Sequence, residues 1–138
     1  MGTQSLRILL IEDDTIEVMK LKRAITKLEM NHDLIEAEDG EKALEILKTI
    51  EALPDIIFLD LNMPKINGIE FLKIVKEDAV LRYLPTVILT TSNNRKDVLE
   101  CYKHGVAGYI IKPLSYEEYT KKIGIALSYW SENELIKA

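Results

Sequence analysis

Cysteine is almost missing from this sequence, and so is every signal of a chain built for membranes or nucleic acids. The single cysteine, Cys101, excludes an internal disulfide and suits a reducing compartment. Alone on an amphipathic stretch, it reads as packing rather than as a reactive thiol. No window approaches the roughly 18 consecutive apolar residues of a membrane span, and the N-terminus lacks the charged-then-apolar pattern of a signal peptide. Net charge is −5, with no run of Lys or Arg, so neither a nucleic acid nor a membrane is expected as partner. Neither Gly-x-Gly-x-x-Gly nor Gly-Lys-Ser/Thr occurs, which removes the usual dinucleotide and nucleoside-triphosphate cradles. Low-complexity tracts, linkers and internal repeats are absent too. What is left, at 138 residues and 47% hydrophobic, is one soluble domain with an ordinary core. It is expected to span 1–138, with its core at about 6–130, and to be cytoplasmic.

Short apolar runs are plentiful. They lie at Leu6–Ile11, Leu34–Ala37, Ile56–Leu59, Thr86–Leu89 and Gly108–Ile111, each of strand length. Amphipathic helix patterns separate them. In the first, Val18, Leu21, Ile25 and Leu28 share a face, leaving Lys20, Lys22, Arg23 and Lys27 mainly for the other. It opens with "DTIE", where Asp14 can cap and Glu17 can reach back as in a capping box. The next two carry Ala43, Leu44, Leu47 and Ile50, then Phe71, Leu72, Val75 and Ala79. The fourth, near Arg95–His104, stops at "KHG", and the last carries Tyr116, Tyr119, Ile123, Leu127 and Trp130. A fivefold β-α alternation predicts an α/β fold with a parallel sheet covered by helices on both faces. The leading topology is the flavodoxin-like (βα)5 order 2-1-3-4-5.

In such sheets ligands bind beyond the carboxyl ends of the strands, where the first and third are neighbours about 4.8 Å apart. The residues there are polar. The first strand ends in Glu12 and Asp13, and the third, after four apolar residues, in Asp60. Thr90 ends the fourth and Lys112-Pro113 the fifth. Each alone is ordinary: an acidic helix cap, a strand end, a turn. Together they make a site. Crowded carboxylates repel and need a cation. Lys112 supplies one charge, and a divalent ion would balance the rest. Oxygen donors with no His or Cys beside them favour Mg2+ or Mn2+ over zinc. A carboxylate so placed can accept a phosphoryl group as an aspartyl phosphate.

The stretches "ILLIEDD", "DIIFLDLNMPKINGIEFL", "LPTVILTTS" and "HGVAGYIIKP" resemble the receiver domain of two-component response regulators. The likeness extends from about Leu6 to Trp130. It implies that Asp60 accepts a phosphoryl group from a sensor histidine kinase or a phosphotransfer protein. It implies metal held by Glu12, Asp13, Asp60 and the backbone carbonyl of Asn62, with Lys112 paired to Asp60 before transfer. It further implies a cis peptide bond before Pro113, and a switch made of Thr90 and the aromatic Tyr109. Asp39-Gly40 matches a structural turn of the family, while His32 and His104 are expected to be structural.

Thr91 and Val106 stand where the family commonly has alanine, and "KTIEALPD" lengthens the connection before the third strand. That connection, with "LTTS" and "YW", is similar to stand-alone regulators paired with phytochrome-type kinases. About eight residues follow Trp130, so no output domain is expected. The signal would leave through the fourth helix, fifth strand and fifth helix, to a downstream protein or a second copy. Such a domain is an acceptor rather than a turnover enzyme. Two rival readings stand beside it. An aspartate-nucleophile phosphatase wants a second acid two residues after the nucleophile, where this chain has Asn62. A phosphate-independent interaction module would not need the full set of polar strand ends.

Overall fold

Residues 4–63 and 65–136 are described by the structure, a computed structural model. The strands are β1 (Arg7–Ile11), β2 (Asp33–Ala37), β3 (Ile56–Leu59), β4 (Thr86–Thr90) and β5 (Gly108–Ile111). The helices are α1 (Thr15–Lys27), α2 (Gly40–Thr49), α3 (Gly68–Glu77), α4 (Arg95–Lys103) and α5 (Tyr116–Ser131), with a short 3-10 turn at Leu81–Tyr83. All pairings are parallel, and the sheet order is β2-β1-β3-β4-β5. The predicted topology is therefore the observed one.

Side-chain alternation along the strands divides the core between the two faces of the sheet. Leu9, Ile11, Ile57, Leu59 and Ile88 point towards α2, α3 and α4, meeting Leu47, Phe71, Val75 and Cys101. Ile8, Leu10, Ile56, Phe58 and Val87 point the other way, onto Leu21 and Ile25 of α1 and Tyr119, Ile123 and Leu127 of α5. Every residue of β3 is buried, as a central strand covered on both sides must be. Each such Leu, Ile or Phe contributes about 1.5–3 kcal/mol by leaving water. Cys101 is fully buried and burial pushes its thiol up to about 11, so it is packing, as expected.

Local signals set the boundaries. Asp39 caps α2 by accepting from the Lys42 N–H at 2.8 Å, giving the Asp39-Gly40 turn its structural role. Beyond α4 and its cap His104, Gly105 takes a φ of +85° and ends the helix. His32 accepts from the Leu6 N–H at 2.9 Å, and His104 lies 3.3 Å from Glu100, so both histidines are structural. One expectation fails at α1. Asp14 caps it through the Ile16 N–H, but Glu17 does not reach back. The Asp14 N–H donates instead to Glu12 Oε2 at 3.2 Å, and no capping box forms. A box appears at α3, where Asn67 and Glu70 bond reciprocally to each other's N–H groups. Among the described residues, no helix is long and apolar enough to cross a membrane.

Candidate functional site

Register brings the polar strand ends to one edge. Ile11 faces Leu59 across β1 and β3, so Glu12 and Asp60 are the next residues on adjacent strands. Backbone bonds pin each of them: Glu12 N–H to the Ala37 carbonyl, Asp60 N–H to that of Ile11, and Lys112 N–H to that of Thr90. These donors sit just beyond the last strand residues, so the ladder itself aims the side chains into one depression of about 280 Å³. Glu12, Asp13, Asp60, Asn62, Thr91 and Lys112 are among its lining residues.

A carboxylate oxygen from each of Glu12, Asp13 and Asp60 lies within 4.8 Å of the other two. Glu12 and Asp60 are buried while Asp13 is exposed, which opens the cluster to solvent on one side. Oxygen-only donors this close fit a hard divalent cation, and no soft ligand competes. The cluster therefore suits Mg2+ or Mn2+.

Lys112 is placed differently from the expectation. Its ammonium donates to Glu12 Oε1 at 2.8 Å and lies 3.0 Å from Glu17 Oε1; no ion pair with Asp60 is formed. Asp60 is close enough to act on the lysine through its charge alone. The reason is competition: Glu12 is buried beside the lysine, and α1 delivers a second carboxylate from the same side. Burial pushes the Glu12 carboxyl up to about 7, against the lowering influence of Lys112, and Asp60 adds to the rise. Burial pulls the Lys112 ammonium down, but the hydrogen bond and charge of Glu12, with Glu17 and Asp60, more than offset it. Both directions belong to a crowded acidic pocket with a cation held deep inside.

The bond joining Lys112 to Pro113 is not cis, correcting the second expectation at this residue. The lysine enters the site without it, because the trans form is the lower-energy default and β5 already points the side chain inwards. Thr90 is fully buried and does not line the depression; its Oγ1 lies 3.4 Å from the Ser92 N–H, which donates to it. Thr91 takes the rim. Tyr109 is half-buried, its hydroxyl donating to the Ser92 carbonyl at 2.9 Å. Thr90 and Tyr109 thus meet at one loop residue, Ser92.

Sequence reasoning missed Glu17 as part of the site. A faint signal was present, since Glu17 precedes Val18 and stands four residues before Leu21, at the margin of the buried face of α1.

With this geometry in view, comparison with known proteins is decisive. The profile of the response regulator receiver domain matches residues 8–124. The chain belongs to the response regulator receiver-domain family. It is 32% identical to the response regulator Rcp1 of Synechocystis over 136 residues, covering 95% of this chain and 92% of Rcp1. It is 36% identical to a probable methanogenesis regulatory protein, FilR2, of Methanothrix harundinacea over 127 residues, covering 89% of this chain and 82% of that one. Among solved structures, the phosphorylated cyanobacterial phytochrome response regulator RcpA superposes with a TM-score of 0.89 at 29% identity, over 96% of this chain and 99% of RcpA. The receiver domain is a signalling module of two-component phosphorelays, and this chain is one.

Proposed function

We propose that Asp60 is the phosphoryl acceptor of this receiver, with Glu12, Asp13, Asp60 and the Asn62 carbonyl as the metal-holding set. The observation that carries the reading is the convergence of three carboxylate oxygens within 4.8 Å, beside a buried lysine, on the edge where β1 and β3 are neighbours. A solved structure of Rcp1 in its Mn(2+)-bound form, at 31% identity and a TM-score of 0.86, supports the choice of metal. When bound, a divalent cation supplies positive charge that offsets the oxygens of the arriving phosphoryl group.

The chemistry left to the chain is positioning and charge. An Asp60 oxygen attacks phosphorus in line and forms a new O–P bond. The N–P bond of a kinase or phosphotransfer phosphohistidine breaks, and its electron pair leaves with the imidazole, which is protonated by solvent. Lys112 shifts towards the phosphoryl oxygens. Thr90 gives up the Ser92 N–H and donates a hydrogen bond from its hydroxyl to the same group. Tyr109 then leaves the Ser92 carbonyl and turns inwards. Two or three charge-assisted bonds at roughly 1.5–3 kcal/mol each are on the scale of a two-state shift.

The chain works as one receiver unit and an acceptor, not a turnover enzyme. Its signal leaves through α4, β5 and α5, where Ile111, Ile125 and Tyr129 line an apolar groove. The occupant is a downstream protein or a second copy. Its likeness to phytochrome response regulators makes a phytochrome-type histidine kinase the first phosphodonor to try, in the cytoplasm.

The test is intact mass after incubation with Mg2+ and acetyl phosphate. The wild type gains one phosphoryl group, and neither Asp60→Asn nor a metal-free sample does. A labelled Asp60→Asn, with no other acid taking over, would overturn the assignment. No gain in folded, Mg2+-bound wild type, and none from candidate kinases, would favour the phosphate-independent module.

A further inference from the structure

Glu17 has no part in the acceptor chemistry described above, yet its carboxylate stands against the site lysine. Its Oε1 is closed off from solvent, makes no well-aligned hydrogen bond, and lies 3.0 Å from Lys112 Nζ. Its Oε2 lies 3.5 Å from Lys20 Nζ one turn along α1. Lys20 in turn sits over the ring of the buried Tyr119 on α5, 4.6 Å from the ring centroid. Glu17 thus has a second hold on α1, through Lys20, besides its contact with Lys112. A carboxylate with that second hold is a fixed point against which the long lysine stem is drawn.

In this arrangement Lys112 has Glu12 and Glu17 as partners, and Asp60 has none of its own from the lysine. A phosphoryl group on Asp60 brings about −2 of charge and three acceptor oxygens. Lys112 reaches it by trading a partner. Glu17 keeps Lys20 as a cation partner when Lys112 leaves, whereas Glu12 is the more deeply buried carboxylate and is paired to Lys112 at 2.8 Å, so Glu17 is the partner released. We propose that Glu17 is a positioning residue that draws Lys112 away from Asp60 in the unphosphorylated protein and so restrains both phosphorylation and the phosphorylated state. The inference rests on Asp60 being the acceptor. Asp14 is the natural control, an acid on the same rim whose carboxylate caps α1 and makes no ion pair with Lys112.

The experiment compares wild type, Glu17→Gln, Glu17→Ala and Asp14→Asn with Mg2+ present. Two quantities are read: the rate of mass gain from acetyl phosphate, and the midpoint for binding beryllofluoride, an acyl-phosphate mimic, followed by 19F NMR. Both Glu17 variants are expected to phosphorylate about three- to tenfold faster, the worth of a partly buried ion pair, and to bind beryllofluoride at a correspondingly lower midpoint. Asp14→Asn is expected to change either quantity by less than about twofold. Glu17 variants that match the wild type or fall below it overturn the proposal. So does an Asp14→Asn effect of equal size, since the cause would then be net charge rather than a hold on Lys112. If the wild type takes no phosphoryl group at all, the acceptor reading itself fails and this inference with it.

Discussion

At the scale of single residues, Gly68 and Glu12 carry the sharpest consequences. A Cβ at Gly68 would lie 2.7 Å from the Leu61 Cα and 2.8 Å from the Asp60 carbonyl oxygen. Both are backbone atoms of the loop that carries the acceptor, and the Gly68 N–H also donates to the Leu61 carbonyl at 3.1 Å. Gly68→Ala therefore has to move that loop. We expect a loss of about 1–3 kcal/mol in urea unfolding, together with slower phosphorylation. A surface glycine substitution would cost stability alone, and an unchanged rate in Gly68→Ala would show that the loop shift spares Asp60. Glu12 predicts a pH dependence. Its carboxyl is raised from 4.5 to about 7, chiefly by burial, so between these values the native protein keeps a proton that the unfolded chain releases. Stability from this group is present below about pH 4.5 and is lost as pH rises through about 7. Thermal melts of metal-free protein should thus show a decline across that window that is absent in Glu12→Gln. Mg2+ should reverse it near neutral pH by binding the ionised cluster.

At the scale of elements, the loop following β3 is closed by the start of α3. Asn67 accepts from the Glu70 N–H at 3.0 Å while Glu70 accepts from the Asn67 N–H at 3.3 Å. Asn67→Ala removes half of this box at an expected cost of about 1 kcal/mol, measured by denaturant unfolding, with Asn67→Asp near wild type. The five strands were legible in the sequence because buried parallel strands are written as apolar runs, and the structure moves their ends by no more than a residue. Arg7 replaces Leu6 at the start of β1, and Thr90 joins β4 because it pairs with Ile111. Caps were less legible. "DTIE" and "NGIE" both contain an acid three residues after a capping side chain. Only the second forms a box, because at the first Glu12 reaches the open N–H and Lys112 claims Glu17. A tertiary charge, invisible in a local pattern, decided between them.

At the scale of the whole molecule, the site was readable because a parallel sheet gathers the ends of distant segments on one edge. Glu12, Asp13 and Asp60 converge as their order on the strands required. What periodicity could not supply was the choice of partner for Lys112, which depends on how far α1 leans over the strand ends. The same sheet separates two jobs. Its carboxyl edge holds the acidic pocket, and Tyr109 on β5 touches Ser92 at that edge while also lining the apolar groove against α5. One side chain therefore joins the chemistry to the face proposed for output. The switch depends on which carboxylate takes the phosphoryl group. The most direct measurement is to phosphorylate the wild type with acetyl phosphate and Mg2+, reduce the acyl phosphate with borohydride, and locate the resulting homoserine by peptide mass mapping. With Asp60 as the acceptor, the reduced residue is expected at position 60 alone; reduction at Glu12 or Asp13 instead, or a phosphorylated protein with position 60 intact, would contradict that assignment.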